Sequence, residues 1–167
     1  MKSLHLMIIL AVWAGCTAHR DGLRQGTTDT WSAESRGFEL TIPSTARFTG
    51  SSVQPYTLSI HDGKTGIRAA LEILDAGKDC TAILEERIGA IKGASILGRG
   101  QMMMWGRAGV IARVTAPAGR ILLTVINLRQ QICVLTLEQA ANGLDDDAAL
   151  DAAQGFLDAL LNGMRFS

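Results

Sequence analysis

Apolar and polar residues alternate along Gly37-Phe38-Glu39-Leu40-Thr41-Ile42 until Pro43, which cannot donate to a ladder, so the pattern predicts a short strand with a clear stop. Alternation resumes from Tyr56 to Ile60. From Ile67 to Leu74 it places Ile67, Ala69, Leu71 and Ile73 on one face. The stretch His61-Asp62-Gly63-Lys64-Thr65-Gly66 between these two runs is rich in turn-forming residues, and together they predict a hairpin.

The period then lengthens. Asp79 is a helix N-cap, and the helical run extends to Gly93. Within it Cys80, Leu84, Ile88 and Ile91 fall within about 80° of one another, a narrow core-facing stripe, while Glu85, Glu86 and Arg87 lie mainly outside it. Ser95 to Met104 predicts a strand interrupted by glycines. Arg107 to Ala116 predicts another, with Ala108, Val110, Ala112 and Val114 on one face and a turn at Pro117-Ala118-Gly119. Ile121 to Ile126 is almost continuously apolar, as a strand covered on both faces must be, and Ile132 to Leu137 repeats that character. Asn142-Gly143 and Asp145-Asp146-Asp147 lead into a last helix, in which Leu150, Ala153, Leu157, Leu160, Leu161 and Met164 share an arc of about 100°. Strands, helix, strand meander, helix is the order of an α+β fold: an α-β-α sandwich with a mainly antiparallel sheet over residues 37–167.

The first residues follow a different logic. Lys2 precedes the apolar run Leu6 to Trp13, which is too short to span a bilayer, and Ala14-Gly15-Cys16 follows at once. This reads as a signal peptide over residues 1–15, and its end resembles the bacterial lipobox, in which the cysteine thiol is joined to a diacylglycerol. Cys16 is then the lipid attachment residue and the new N-terminus, although Trp13 stands where that motif usually carries Leu. Thr17, in place of the aspartate that retains many such proteins at the inner membrane, directs the expectation to the periplasmic face of the outer membrane. The alternative is cleavage after Ala18, giving a soluble periplasmic or secreted protein. Residues 16–36 are polar and read as a flexible tether; Trp31 within them either docks on the domain or is exposed.

Composition narrows the classes. The chain has 167 residues, 47% hydrophobic and 19% charged, with zero formal net charge, which suits one globular domain. It has no basic stripe, and nucleic acid is not an expected partner. Beyond the leader no run reaches the roughly 18 apolar residues of a membrane span, so membrane contact is expected through the lipid anchor.

Candidate chemistry is sparse. Cys80 and Cys133 are the two cysteines of the domain, and an even pair in an oxidising compartment suggests a disulfide; two separate buried thiols are the alternative. Met102-Met103-Met104 has the softness for Cu(I), but strand geometry turns Met103 away from its neighbours. Gly63-Lys64-Thr65 echoes a phosphate loop, yet Leu58 occupies the position where the motif needs glycine. Asp145 to Asp147 lack the terminal bidentate Glu of a calcium loop and read as helix capping. His61 is the domain's sole histidine and has no nucleophile elbow to serve, and spaced zinc ligands are missing. No catalytic residue, metal ligand or cofactor is expected.

The order of elements resembles the PsbP-like fold, shared by the photosystem extrinsic protein and bacterial DcrB-like lipoproteins. The residues that carry the likeness are Phe38-Glu39-Leu40-Thr41-Ile42-Pro43, the helix around Leu84-Glu85-Glu86, Trp105-Gly106-Arg107-Ala108 entering a strand, and the close from Phe156 to Phe166. The resemblance implies an accessory or binding module and brings no catalytic residues with it. The expectation is a non-enzymatic envelope lipoprotein that binds other envelope proteins. The alternative is a carrier of a small apolar ligand in a sheet–helix cleft, and an envelope hydrolase stands third.

Overall fold

A computed structural model of the chain describes residues 29–51, 53–104, 106–128, 130–140 and 146–166. The expected signal peptide, Cys16, Trp105 and Asp145 lie outside the described residues. In chain order the elements are β1 (Asp29–Ala33), a 3-10 turn (Glu34–Arg36), β2 (Phe38–Ile42), β3 (Ala46–Ser51), β4 (Tyr56–Asp62), β5 (Arg68–Asp75), α1 (Cys80–Ala90), β6 (Ser95–Met104), β7 (Arg107–Ala116), β8 (Gly119–Asn127), β9 (Gln131–Ala140), α2 (Asp146–Gly163) and β10 (Met164–Phe166).

Seven strands form one antiparallel sheet in the order β3-β4-β5-β9-β8-β7-β6, and β1-β2-β10 form a second, smaller one. The expected hairpin is β4–β5, pairing Leu58 with Leu71 and Ile60 with Ala69. The nearly unbroken apolar runs become β8 and β9 in the middle of the large sheet, where both faces are covered. On one face Ile121, Leu123, Val125, Ile132 and Val134 pack against Ile83, Leu84 and Ile88 of α1. On the other, Leu122, Ile126, Cys133, Leu135 and Leu137 meet Leu157, Leu160 and Leu161 of α2 and Phe38, Leu40 and Ile42 of the small sheet. The layers are α1, the large sheet, then α2 with the small sheet beside it: the α+β sandwich that the order of elements predicts.

Local chemistry sets the joints. Asp79 caps α1 by accepting from the Ala82 N–H at 3.0 Å. The helix stops at Ala90, three residues short of Gly93, because the N–H of the cap residue Ile91 folds back to the Ile88 carbonyl. Gly119 opens β8 at φ 138, and a Cβ there would stand 2.1 Å from the Gln139 carbonyl oxygen, so no larger residue lets β8 and β9 approach as they do. In the β4–β5 turn the Asp62 carboxylate, 2% exposed, accepts from the Thr65 N–H at 3.1 Å, the Lys64 N–H at 3.4 Å and the Thr65 hydroxyl.

Polarity alone reads residues 29–36 as tether, and the structure corrects that. Residues 29–36 belong to the folded unit: β1 pairs with β2, Trp31 opposite Leu40, and Trp31 is 5% exposed. The indole packs edge-on to Phe38, ring centroids 5.8 Å apart, and its nitrogen would lie 3.1 Å from a Cβ at Gly50, so the glycine of β3 leaves the room that Trp31 fills. Strands β1, β3 and β10 are too short or too polar to announce themselves by alternation; main-chain pairing to neighbours holds them.

The disulfide is corrected. Cys80 and Cys133 are both free thiols. Cys133 projects into the core beneath α2, between Ile132 and Val134, which project into the core beneath α1 where Cys80 packs. The sheet itself therefore lies between the two sulfurs. Parity along β9 decides this, because shifting one residue moves a side chain to the opposite face.

Two outcomes follow from these placements. Burial raises the Asp62 pKa, but the hydrogen bonds from Thr65, Thr45 and the Thr65 and Lys64 backbone outweigh it and leave the carboxyl below its ordinary value. A lowered folded pKa means stability that is present at neutral pH and lost as pH falls through the carboxylate range toward the folded pKa. Asp62→Ala should cost about 1–3 kcal/mol in urea unfolding at neutral pH, and its deficit against the parent should shrink in acid. A deficit that is constant with pH would refute the ionised carboxylate as its source. For the thiols, burial pushes Cys133 up to about 12 and also raises Cys80, with Asp79 adding to the latter. In a Cys16→Ser chain, a disulfide-exchange reagent near pH 8 should label Cys80 slowly and leave Cys133 silent. Denaturation without reductant should release both thiols; none released would restore the bond.

Candidate functional site

Strand β6 ends the large sheet with ten residues, and β7 is its one partner among the described residues. Its side chains alternate about the sheet plane from Gly98 onward. Met102 and Met104 pack partly against the core on the α2 side, and Met103 points the other way, 69% exposed. The methionine triplet therefore does not converge. Ile96 and Leu97 are 42% and 52% exposed, beside an irregularity in register between Ile96 and Gly98. Arg99 ties the strand to α1 through Glu85 at 2.8 Å, an exposed pair that positions the strand more than it stabilises it. Between β6, β7 and the start of α1 runs a groove of about 460 Å³ whose walls include Gln101, Met103, Val110 and Cys80. An open strand edge offers unpaired N–H and C=O groups, and folded proteins commonly blunt such edges with charge or proline. Here Ile96 and Leu97 near one end and Met103 near the other are exposed, with Ser95, Arg99 and Gln101 as the exposed polar residues of the strand.

A second concavity, about 520 Å³, lies at the end of the sheet where the β6–β7 turn, the β8–β9 turn, the 3-10 turn and β10 meet. Arg36, Arg107, Gln131, Leu128 and Phe166 are among its walls. Arg36 is ion-paired to Asp75 and sits over the Tyr56 ring at 5.4 Å, and the Tyr56 and Ser35 hydroxyls are hydrogen-bonded. The Gln131 amide donates to the Arg36 carbonyl at 3.2 Å, joining the β8–β9 turn to the 3-10 turn.

The remaining sequence candidates are separated. His61 is exposed on β4 between Arg47 of β3 and Arg68 of β5. Gly63-Lys64-Thr65 is the turn that Asp62 closes, with Thr65 spent on that carboxylate rather than offered to a phosphate. Asp146 and Asp147 begin α2. Among the described residues no group of three His, Cys, Asp or Glu could hold a metal ion, and no helix is long and apolar enough to cross a membrane. Neither the open edge nor the end cavity is marked in the sequence. A strand's position at an edge depends on its partners, and Arg107 and Gln131 are ordinary strand-end residues until the turns bring them together.

Neither a protein family nor any curated protein matches the sequence. Among solved structures, the solution structure of cyanobacterial PsbP (CyanoP) from Synechocystis sp. PCC 6803 superposes with a TM-score of 0.61 at 10% identity, covering 92% of this chain and 100% of that one. A Pseudomonas aeruginosa protein of unknown function, PA94, described as a putative regulator, gives a TM-score of 0.44 at 13% identity, over 80% of this chain and 95% of its own. At such identities a likeness speaks for the backbone alone, and what it shows here is a PsbP-like α+β fold.

Proposed function

We propose that the protein is a non-enzymatic lipoprotein of the bacterial envelope, of the DcrB-like kind, that acts by binding other envelope proteins. The observation that carries this is the open edge of β6, ten residues long, with Ile96, Leu97 and Met103 exposed. Such an edge fits an extended segment of another protein: main-chain hydrogen bonds add a strand, and the apolar side chains beside it supply contact area. The Ala14-Gly15-Cys16 step supports a lipid anchor at Cys16. One acyl chain holds a protein marginally and two or more hold it stably, so a diacylated cysteine keeps the domain beside its partners.

A photo-crosslinking residue at Gln101, in cells, should trap an envelope protein. Lysines at both Leu97 and Met103 should cut that adduct about fivefold or more, the effect of losing about 1 kcal/mol of contact. A lipid adduct with no protein adduct would favour the carrier reading, with the α1 groove as its cleft, and would sink this one. The N-terminal peptide should begin at a diacylglyceryl Cys16, and Cys16→Ser should move the protein out of the membrane fraction. A mature N-terminus at His19 would remove the anchor from the proposal.

A further inference from the structure

We infer that the cavity at the turn-rich end of the sheet is a binding site for a small organic monoanion, a carboxylate on an apolar body, held by Arg107. It is separate from the β6 edge and does not depend on the role proposed for that edge. Its volume, about 520 Å³, lies within the range of small-ligand pockets, about 300–1,000 Å³. Its walls are loops and strand ends carried on a rigid sheet, the usual place for recognition.

The charge arrangement decides the class of ligand. Arg36 has its carboxylate in Asp75, and Arg68, Arg87 and Arg99 have theirs in Glu138, Glu72 and Glu85. Arg107 is half-buried in the cavity wall and has no carboxylate partner among the described residues. A guanidinium drawn out of water without an anion is unfavourable, and its planar fork matches the two oxygens of a carboxylate. Among the described residues of the wall that one positive charge is unmatched, and it balances a monoanion, whereas a phosphate dianion would leave a net charge.

The other walls suit the rest of such a molecule. Leu128 is buried at 7% exposure and Phe166 is 38% exposed, its ring held edge-on against Phe38 at 5.4 Å. They supply an apolar and aromatic surface for a short alkyl or aryl body. The polar wall is already fixed, since Gln131 is bonded to the Arg36 carbonyl and Arg36 is held between Asp75 and Tyr56. A wall ordered before binding lowers the entropy cost of capturing a small ligand.

Isothermal titration of the mature chain with acetate, hexanoate and phenylacetate tests this, with phenylacetamide and inorganic phosphate as controls. Phenylacetate or hexanoate should bind saturably, and tighter than acetate. Phenylacetamide should bind at least about tenfold more weakly, because it lacks the charge. Arg107→Gln should weaken the carboxylate by about tenfold or more, whereas Arg113→Gln, an exposed arginine farther along β7, should leave it unchanged. Amide shift changes on binding should centre on Gly37, Gln131 and Phe166, which line the cavity. Circular dichroism of both variants checks that each is folded. Absence of saturable binding by all three carboxylates, equal binding of acid and amide, or undiminished binding by a folded Arg107→Gln chain would each overturn the inference. Phosphate binding tighter than either carboxylate would overturn the ligand class.

Discussion

Backbone pairing puts β8 and β9 in the middle of a seven-stranded sheet with apolar side chains on both faces, and water has to be kept from each face. Everything else in the molecule is arranged around that requirement. A buried Leu, Ile or Val contributes about 1.5–3 kcal/mol, and these two strands carry five such residues on the α1 face and four on the other, so leaving either face wet would cost about as much as a domain's whole margin of stability. α1 covers one face through Ile83, Leu84 and Ile88. The other needs α2 and the small sheet together, which is why Trp31, upstream of the first obvious strand, is part of the core.

The same covering leaves parts of the sheet free. α1 sits over the strands around β7 and β8, and β6 extends beyond it as an edge fastened by Arg99 to Glu85. At the end of the sheet the turns meet without filling the space between them, and Arg107 stands there with no carboxylate partner among the described residues. Both features are by-products of packing order, the first an open row of hydrogen-bonding groups and the second a charged hollow. Neither requires an unusual residue. The PsbP-like fold is what this chain shares, at 10% identity, with the cyanobacterial structure.

Long apolar stretches speak clearly in this chain. The β4–β5 hairpin, the doubly covered strands, the Asp79 cap and the Leu157-Leu160-Leu161 face of α2 all follow from period and capping, because each residue's role there depends on near neighbours. The short strands do not. β1, β3 and β10 hold their place through partners far away in sequence, so Asp29–Ala33 looks like tether until β2 lies beside it. The two cysteines show the limit most sharply. Their number and their apolar surroundings are legible, but α1 and the Cys133 side chain occupy opposite faces of one sheet, and parity against a distant helix is a tertiary fact.

Local pattern alone established the kinds and order of the main elements. Those are properties of runs and spacings within one stretch of chain. That residues 29–36 join the folded unit, that the thiols are apart, that β6 ends the sheet and that Arg107 faces a hollow with no carboxylate partner among the described residues all come from the tertiary arrangement. Each of those depends on which strand lies next to which, and hydrogen-bonding partners come from segments that local pattern does not connect.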